Sequence, residues 1–263
     1  MKINTLLLKI TPIIFGISIF ILGFQHVYYR ALNPALFPVP GKFPGLIFLV
    51  DISGILLMLC GIAAVIKKWR APAFLLIGLV FMLSFLLVHL PILLGNIKNA
   101  MEWTGAFETF AILSGAFLFA VNSENSTSGT TYKMYNIMER ISKLMFAISL
   151  VVFGIQHFQY GDFVATLIPG WIPFHLFWAY FVGGGFIASA ISLIINVKQK
   201  LAMALLGIMF ILWVILLHIP RVYNHATDRD ELSSLLICLL MACISFLIMA
   251  THKDHFHVSS YTH

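Results

Sequence analysis

Charge is what this sequence has least of: of its 263 residues only 10% are Asp, Glu, Lys or Arg, while 60% are hydrophobic. Soluble domains carry about 25% charged residues, so a water-facing globule is excluded. Cysteine is also scarce. Cys60, Cys238 and Cys243 all fall inside apolar runs and form no C-x-x-C, which speaks against a thiol–disulfide relay and leaves them as small buried apolar side chains. No flavin, nucleotide or iron–sulfur motif is present, and neither H-x-x-x-H nor C-x-x-C-H occurs. The 16 Lys and Arg outnumber the acids to give +6, but they are scattered over short loops. Without a basic stripe interleaved with aromatics, nucleic acid is not an expected partner.

What is abundant is apolar length. Eight runs, at about 10–28, 45–66, 72–93, 103–121, 141–158, 173–195, 201–219 and 232–250, each approach the roughly 20 residues that cross hydrocarbon as a helix. With both termini in the cytoplasm, that side receives 11 of the Lys and Arg residues (Lys2, Lys9, Lys67, Lys68, Arg70, Lys133, Arg140, Lys143, Lys198, Lys200 and Lys253). The other side receives five (Arg30, Lys42, Lys98, Arg221 and Arg229). The asymmetry predicts a multi-pass membrane protein, N-in and C-in, with the lipid bilayer as its first partner. Lys2 and Lys9 could open a signal peptide, but no small-residue cleavage site follows, so the first run is expected to remain as a helix.

The chain also repeats itself. Gly23, Gln25 and His26 recur as Gly154, Gln156 and His157; Pro38 matches Pro169, and Pro44 matches Pro173. His89-Leu90-Pro91 recurs as His218-Ile219-Pro220, and Glu102 recurs as Glu231. An ordered series of matches about 129 to 131 residues apart reads as an internal duplication. The expected organisation is a four-helix repeat over 1–121, a polar cytoplasmic linker over 122–140, a second four-helix repeat over 141–251, and a His-containing tail over 252–263. The fold class is therefore an all-α integral membrane protein of eight transmembrane helices in two four-helix-bundle repeats. An even number of helices per repeat makes the repeats parallel.

A G-x-x-H near the end of helix 1, the loop Pro169-Gly170-Trp171-Ile172-Pro173, the Gly183-Gly184-Gly185 run in a second helix and a His-x-Pro near the end of the third resemble the DoxX-like family of membrane proteins. The second half carries the resemblance best, from about 145 to 220. The first half has Pro38-Val39-Pro40-Gly41-Lys42 in place of the tryptophan loop, and Gly54 stands alone. The resemblance implies a four-helix bundle per repeat and, in some members, a role as membrane subunit of a thiosulfate:quinone oxidoreductase. It fixes the fold better than the chemistry.

Within this frame the candidate site is a set of polar residues in the outer leaflet. His26, His89, Asp51 and Glu108 of the first repeat, with His157 and His218 of the second, are the candidate catalytic groups. Asp51 lies roughly 9 Å inside its helix end at about 1.5 Å per residue, and Glu108 about as far. A charge at depth costs about 2.5–3.5 kcal/mol, so these carboxylates are expected to be paired, protonated or functional. Histidine beside carboxylate can move the protons that quinone chemistry requires. Gln25, Gln156, His175, Trp178 and Tyr180 are the candidate cofactor contacts, Tyr180 standing where Asp51 would be. On this reading the cofactor is a quinone and the electrons come from a redox protein partner.

Other readings stand beside it. The histidines can be interhelical hydrogen bonders, with Pro91 and Pro220 ending helix 3, and Glu102 and Glu231 can favour the positive ends of their helices. Haem or metal ligation is disfavoured, because ligands would have to converge from separate helices. A non-catalytic membrane scaffold or assembly factor and a small-solute transporter remain as alternative functions.

Overall fold

A computed structural model describes residues 2–39, 41, 44–123, 129–225 and 227–252. Among these, 86% are helical and none is in a strand. Eight helices are long and apolar enough to cross a membrane, which makes this a multi-pass membrane protein. They are α1 (Lys2–Tyr29), α2 (Leu46–Val65), α3 (Lys67–Gly95), α4 (Ala100–Ser123), α5 (Gly129–Gln159), α6 (His175–Ile195), α7 (Gln199–Asn224) and α8 (Arg229–Thr251). With short connections they alternate in direction. The end reached by the C-terminus of α1 is termed the far face, and the end holding the N-terminus the near face.

Sequence pattern and structure agree on all eight spans and differ at two kinds of boundary. Helix α5 begins at Gly129, so most of the polar stretch expected as a linker is helical, ending the run in a Lys143–Glu139 (i, i+4) ion pair of 2.6 Å. Residues 124–128 of that stretch, and the tail beyond His252, lie outside the described residues. Second, Pro91 and Pro220 do not end their helices. Each lacks an N–H and would press its ring on the carbonyl four residues back, which normally breaks or kinks a helix. Here a turn of π-helix precedes each proline, Phe85–His89 and Val214–His218, with Leu90 N–H donating to Phe85 O and Ile219 N–H to Val214 O. The wider turn accommodates the proline, and the helices continue to Gly95 and Asn224.

Helix pairing recurs four helices on. Helix α1 packs on α2 as α5 packs on α6; α3 pairs with α4 as α7 with α8; α4 meets α5 as α8 meets α1; and α4 touches α8. Helices α4 and α8 occupy the middle: 67% and 72% of their most apolar windows are buried, against 28% for α2 and α7. The buried core runs through both halves without a break, from Phe15, Phe74 and Phe119, whose ring centroids lie 4.9 to 5.5 Å apart, to Phe186 and Phe210.

Lipid gives no hydrophobic drive to hold helices together, so close backbone approach matters more than in water. A side chain on Gly23 would begin 2.6 Å from Gly54 O, and one on Gly61 would begin 2.6 Å from Gly16 O. Only glycine allows α1 and α2 to meet at both levels. At the matching positions of α5 and α6, Gly154 and Gly183 repeat the first contact, while the buried Ala147 and Ala190 stand for the second.

Candidate functional site

The Gln-His pair near the end of α1 and α5 divides into two tasks. Gln25 is 3% exposed. It reaches across to the start of α8, donating from Nε2 to Arg229 O at 3.3 Å and facing Ser233 Oγ at 3.0 Å through Oε1. Gln156 does the same at the start of α4, donating to Ala100 O at 2.9 Å and pairing with Thr104 Oγ1 at 3.0 Å. Ala100 and Thr104 precede Arg229 and Ser233 by 129 positions. Each glutamine of the repeated motif therefore ties its own half to the last helix of the other half.

His26 is fully buried, with Nδ1 3.1 Å from Ser53 Oγ and its ring edge-on to Phe37 at 5.2 Å. Ser53 already lies 3.0 Å from Val50 O. With its proton given there, His26 Nδ1 donates and Nε2, buried without a partner among the described residues, carries the lone pair. His89 is 2% exposed; its Nε2 lies 3.1 Å from Leu36 O and 2.9 Å from Thr109 Oγ1. A carbonyl only accepts, so Nε2 holds the proton.

Between these histidines lies a piece of the far-face loop. Asn33 folds it: its Oδ1 accepts from the N–H groups of Ala35 and Leu36 at 3.0 and 3.1 Å, and its Nδ2 donates to Ser233 Oγ at 2.7 Å. Leu36 is then fully buried, its carbonyl taking bonds from His89 and from Ser84 Oγ at 2.6 Å. Gly105 leaves room for the loop, since a side chain there would start 2.8 Å from Ala35 O. Between the two histidines the interior of the first half therefore holds the protein's own loop around Leu36.

The remaining candidates are dispersed. Asp51 is half-exposed at the rim, 3.7 Å from Arg30 Nη2, rather than facing the histidines. Glu108, one turn below Thr104 on α4, is half-buried, within electrostatic reach of Cys238, and has no hydrogen bond or ion pair among the described residues. His157 back-bonds from Nδ1 to Phe153 O at 2.8 Å and meets Phe186 edge-on at 5.1 Å. His218 keeps a buried Nδ1 without a partner among the described residues. His89 bonds Thr109; 129 positions on, the pair becomes His218 and Cys238, and the thiol turns to Phe210 O at 3.4 Å. His175 opens α6, half-buried. Trp178 donates to Pro173 O at 3.1 Å and Tyr180 stacks on Phe158 at 5.8 Å, and both are exposed. Among the described residues none of these three is joined to His157 or His218 by a hydrogen bond, ion pair or ring contact. Among the described residues no group of three His, Cys, Asp or Glu side chains converges on a metal position.

The two repeated acids part company. Glu102 accepts from Asn99 Nδ2 at 3.3 Å at the start of α4. Glu231 forms a two-pronged pair with Arg221, at 2.8 and 2.5 Å, that locks the end of α7 to α8, while Asp228 caps α8 through Asp230 N–H at 2.8 Å. Asn33, Ser84, Thr104, Thr109 and Ser233 carry the network and were not singled out from sequence; the signal available was a polar residue inside an apolar helix, and for Asn33 the Asn-Pro turn pair.

Compared with known proteins, the chain matches no protein-family model, no curated protein and no solved structure.

Proposed function

We propose that this chain is a fused duplication of a DoxX-like four-helix unit, with parallel repeats, set N-in and C-in in a bacterial inner membrane, and that it serves as a non-catalytic scaffold or assembly subunit for an envelope or redox partner. The observation that carries this reading is the use made of the repeated polar residues. Gln25, Gln156 and His89 hold helices and the buried loop together, so these repeated polar groups are engaged in packing contacts. The repeated glutamines, the paired π-turns and the recurring helix pairing support the duplication. On the charge asymmetry of the loops the far face is periplasmic.

A second reading, membrane subunit of a quinone-linked oxidoreductase, draws on two groups the packing leaves unused: the unpaired Glu108 carboxylate and His218 Nδ1. One experiment separates the two. Purified full-length protein is titrated with a quinol, beside Glu108→Gln and His218→Ala, and partner capture by cross-linking in native membranes is followed for the same three proteins. The scaffold reading expects no saturable quinol binding and unchanged capture in both variants. Saturable binding that both substitutions abolish overturns it in favour of the quinone-linked subunit.

A further inference from the structure

The far face holds a cavity of about 760 Å³ between the end of α1, the start of α2, the loop over 31–39 with Gly41, and the first residue of α8. Its walls are mainly apolar, including Phe37, Ile47 and Val50, and two arginines, Arg30 and Arg229, line it. Neither guanidinium makes a hydrogen bond to any described residue. Their nearest acids are Asp51 at 3.7 Å from Arg30 and Asp230 at 3.5 Å from Arg229, beyond the usual 2.7–3.2 Å of an N–H···O bond. Arg229 is held over the Tyr29 ring, 5.8 Å from its centroid, with 24% of its side chain exposed.

We propose that this cavity binds the phosphate of an anionic membrane lipid, the two guanidiniums taking the headgroup oxygens and the apolar wall of α2 taking the acyl chain. Each guanidinium offers five N–H donors in a planar fork that matches phosphate. Arg30 directly follows the last residue of α1 and Arg229 opens α8, so both lie at the end of a membrane span, where a phospholipid headgroup lies. The exposed Ile47 and Phe48 of α2 run from that level into the bilayer. The arrangement occurs where α1 meets α8 and not at the matching junction of α5 with α4. There Gly161 stands for Arg30 and Ala100 for Arg229, and the Tyr180 ring lies over Gly161.

The test uses the full chain in nanodiscs and in detergent, probed with fluorescently tagged phosphatidylglycerol, with phosphatidylcholine and inorganic phosphate as competitors. Parent protein is expected to bind phosphatidylglycerol saturably and to prefer it over phosphatidylcholine. The Arg30→Gln/Arg229→Gln pair should lose about tenfold or more in affinity, while Lys98→Gln, which removes an exposed far-face charge away from the cavity, should lose none. Ile47→Trp, which fills the cavity without touching the charges, should also weaken binding and covers the case in which the double variant does not fold. Equal affinity in the double and parent proteins, or equal binding of phosphatidylcholine, overturns the proposal. Full displacement by inorganic phosphate at the lipid's own concentration overturns the lipid as the source of the anion.

Discussion

The strongest mechanical claim concerns Gln25, and replacing it by leucine tests that claim. Leucine is close in volume, so little cavity opens and the loss is mainly that of two polar contacts. Interhelical hydrogen bonds in a bilayer average about 0.6 kcal/mol and reach about 1.7. The bond to Arg229 O is long at 3.3 Å, and Ser233 keeps both Arg229 O at 2.8 Å and the Asn33 amide at 2.7 Å, so neither partner is stranded. Gln25→Leu should therefore cost about 1 kcal/mol. Ser233→Ala should cost more, because it also strips the buried Asn33 amide of its acceptor and loosens the loop that carries Leu36. Unfolding by SDS in mixed micelles, followed through the five tryptophans, gives both values. If Gln25→Leu is as stable as the parent, or if it costs more than Ser233→Ala, the network does not join α1 to α8 as described.

Three further outcomes are expected. Gly54→Ala places a methyl 2.8 Å from Gly23 O and should destabilise by about 1–3 kcal/mol in the same assay, whereas Gly184→Ala, with nothing within 4 Å, should stay within about 0.5. Pro91→Ala removes the cause of the π-turn, so α3 should relax toward α-helix and carry His89 away from Leu36 O; faster hydrogen exchange over residues 35–37 would report it, and unchanged protection would show that the turn has another cause. Cys60 and Cys243, 3% and 2% exposed, should resist maleimide in the folded protein and react on unfolding; rapid labelling of the native state would place them wrongly.

The spans were legible because a membrane helix announces itself by composition alone: twenty apolar residues leave few alternatives. The recurrence of Gly, Gln, His and Pro in one order at near-constant separation was visible for a similar reason, since order needs no geometry. What the polar residues do was not. A glutamine beside a histidine reads the same whether it faces a cofactor or the next helix, and Gln25 proved to bond a carbonyl 204 residues away. The prolines misled for a physical reason: a π-turn needs no special residue, so nothing before Pro91 signals that the helix will pass through it. Asp51 was expected inside because carboxylates avoid lipid, yet it lies half-exposed at the rim, where water and the Arg30 charge 3.7 Å away are both in reach.

The recurrence of helix pairings, with α4 against α8 at the centre, has a consequence for how such a protein can change. Two identical separate subunits related by a two-fold must gain or lose every feature in pairs, since one gene writes both. When the two are drawn from one continuous chain, each copy mutates alone. Here the arginine-lined hollow lies beside α1, whereas Tyr180 stands over Gly161 beside α5, and the glutamine ties are alike on both sides. Two matched halves within one continuous chain can thus share an interior frame while their surfaces differ.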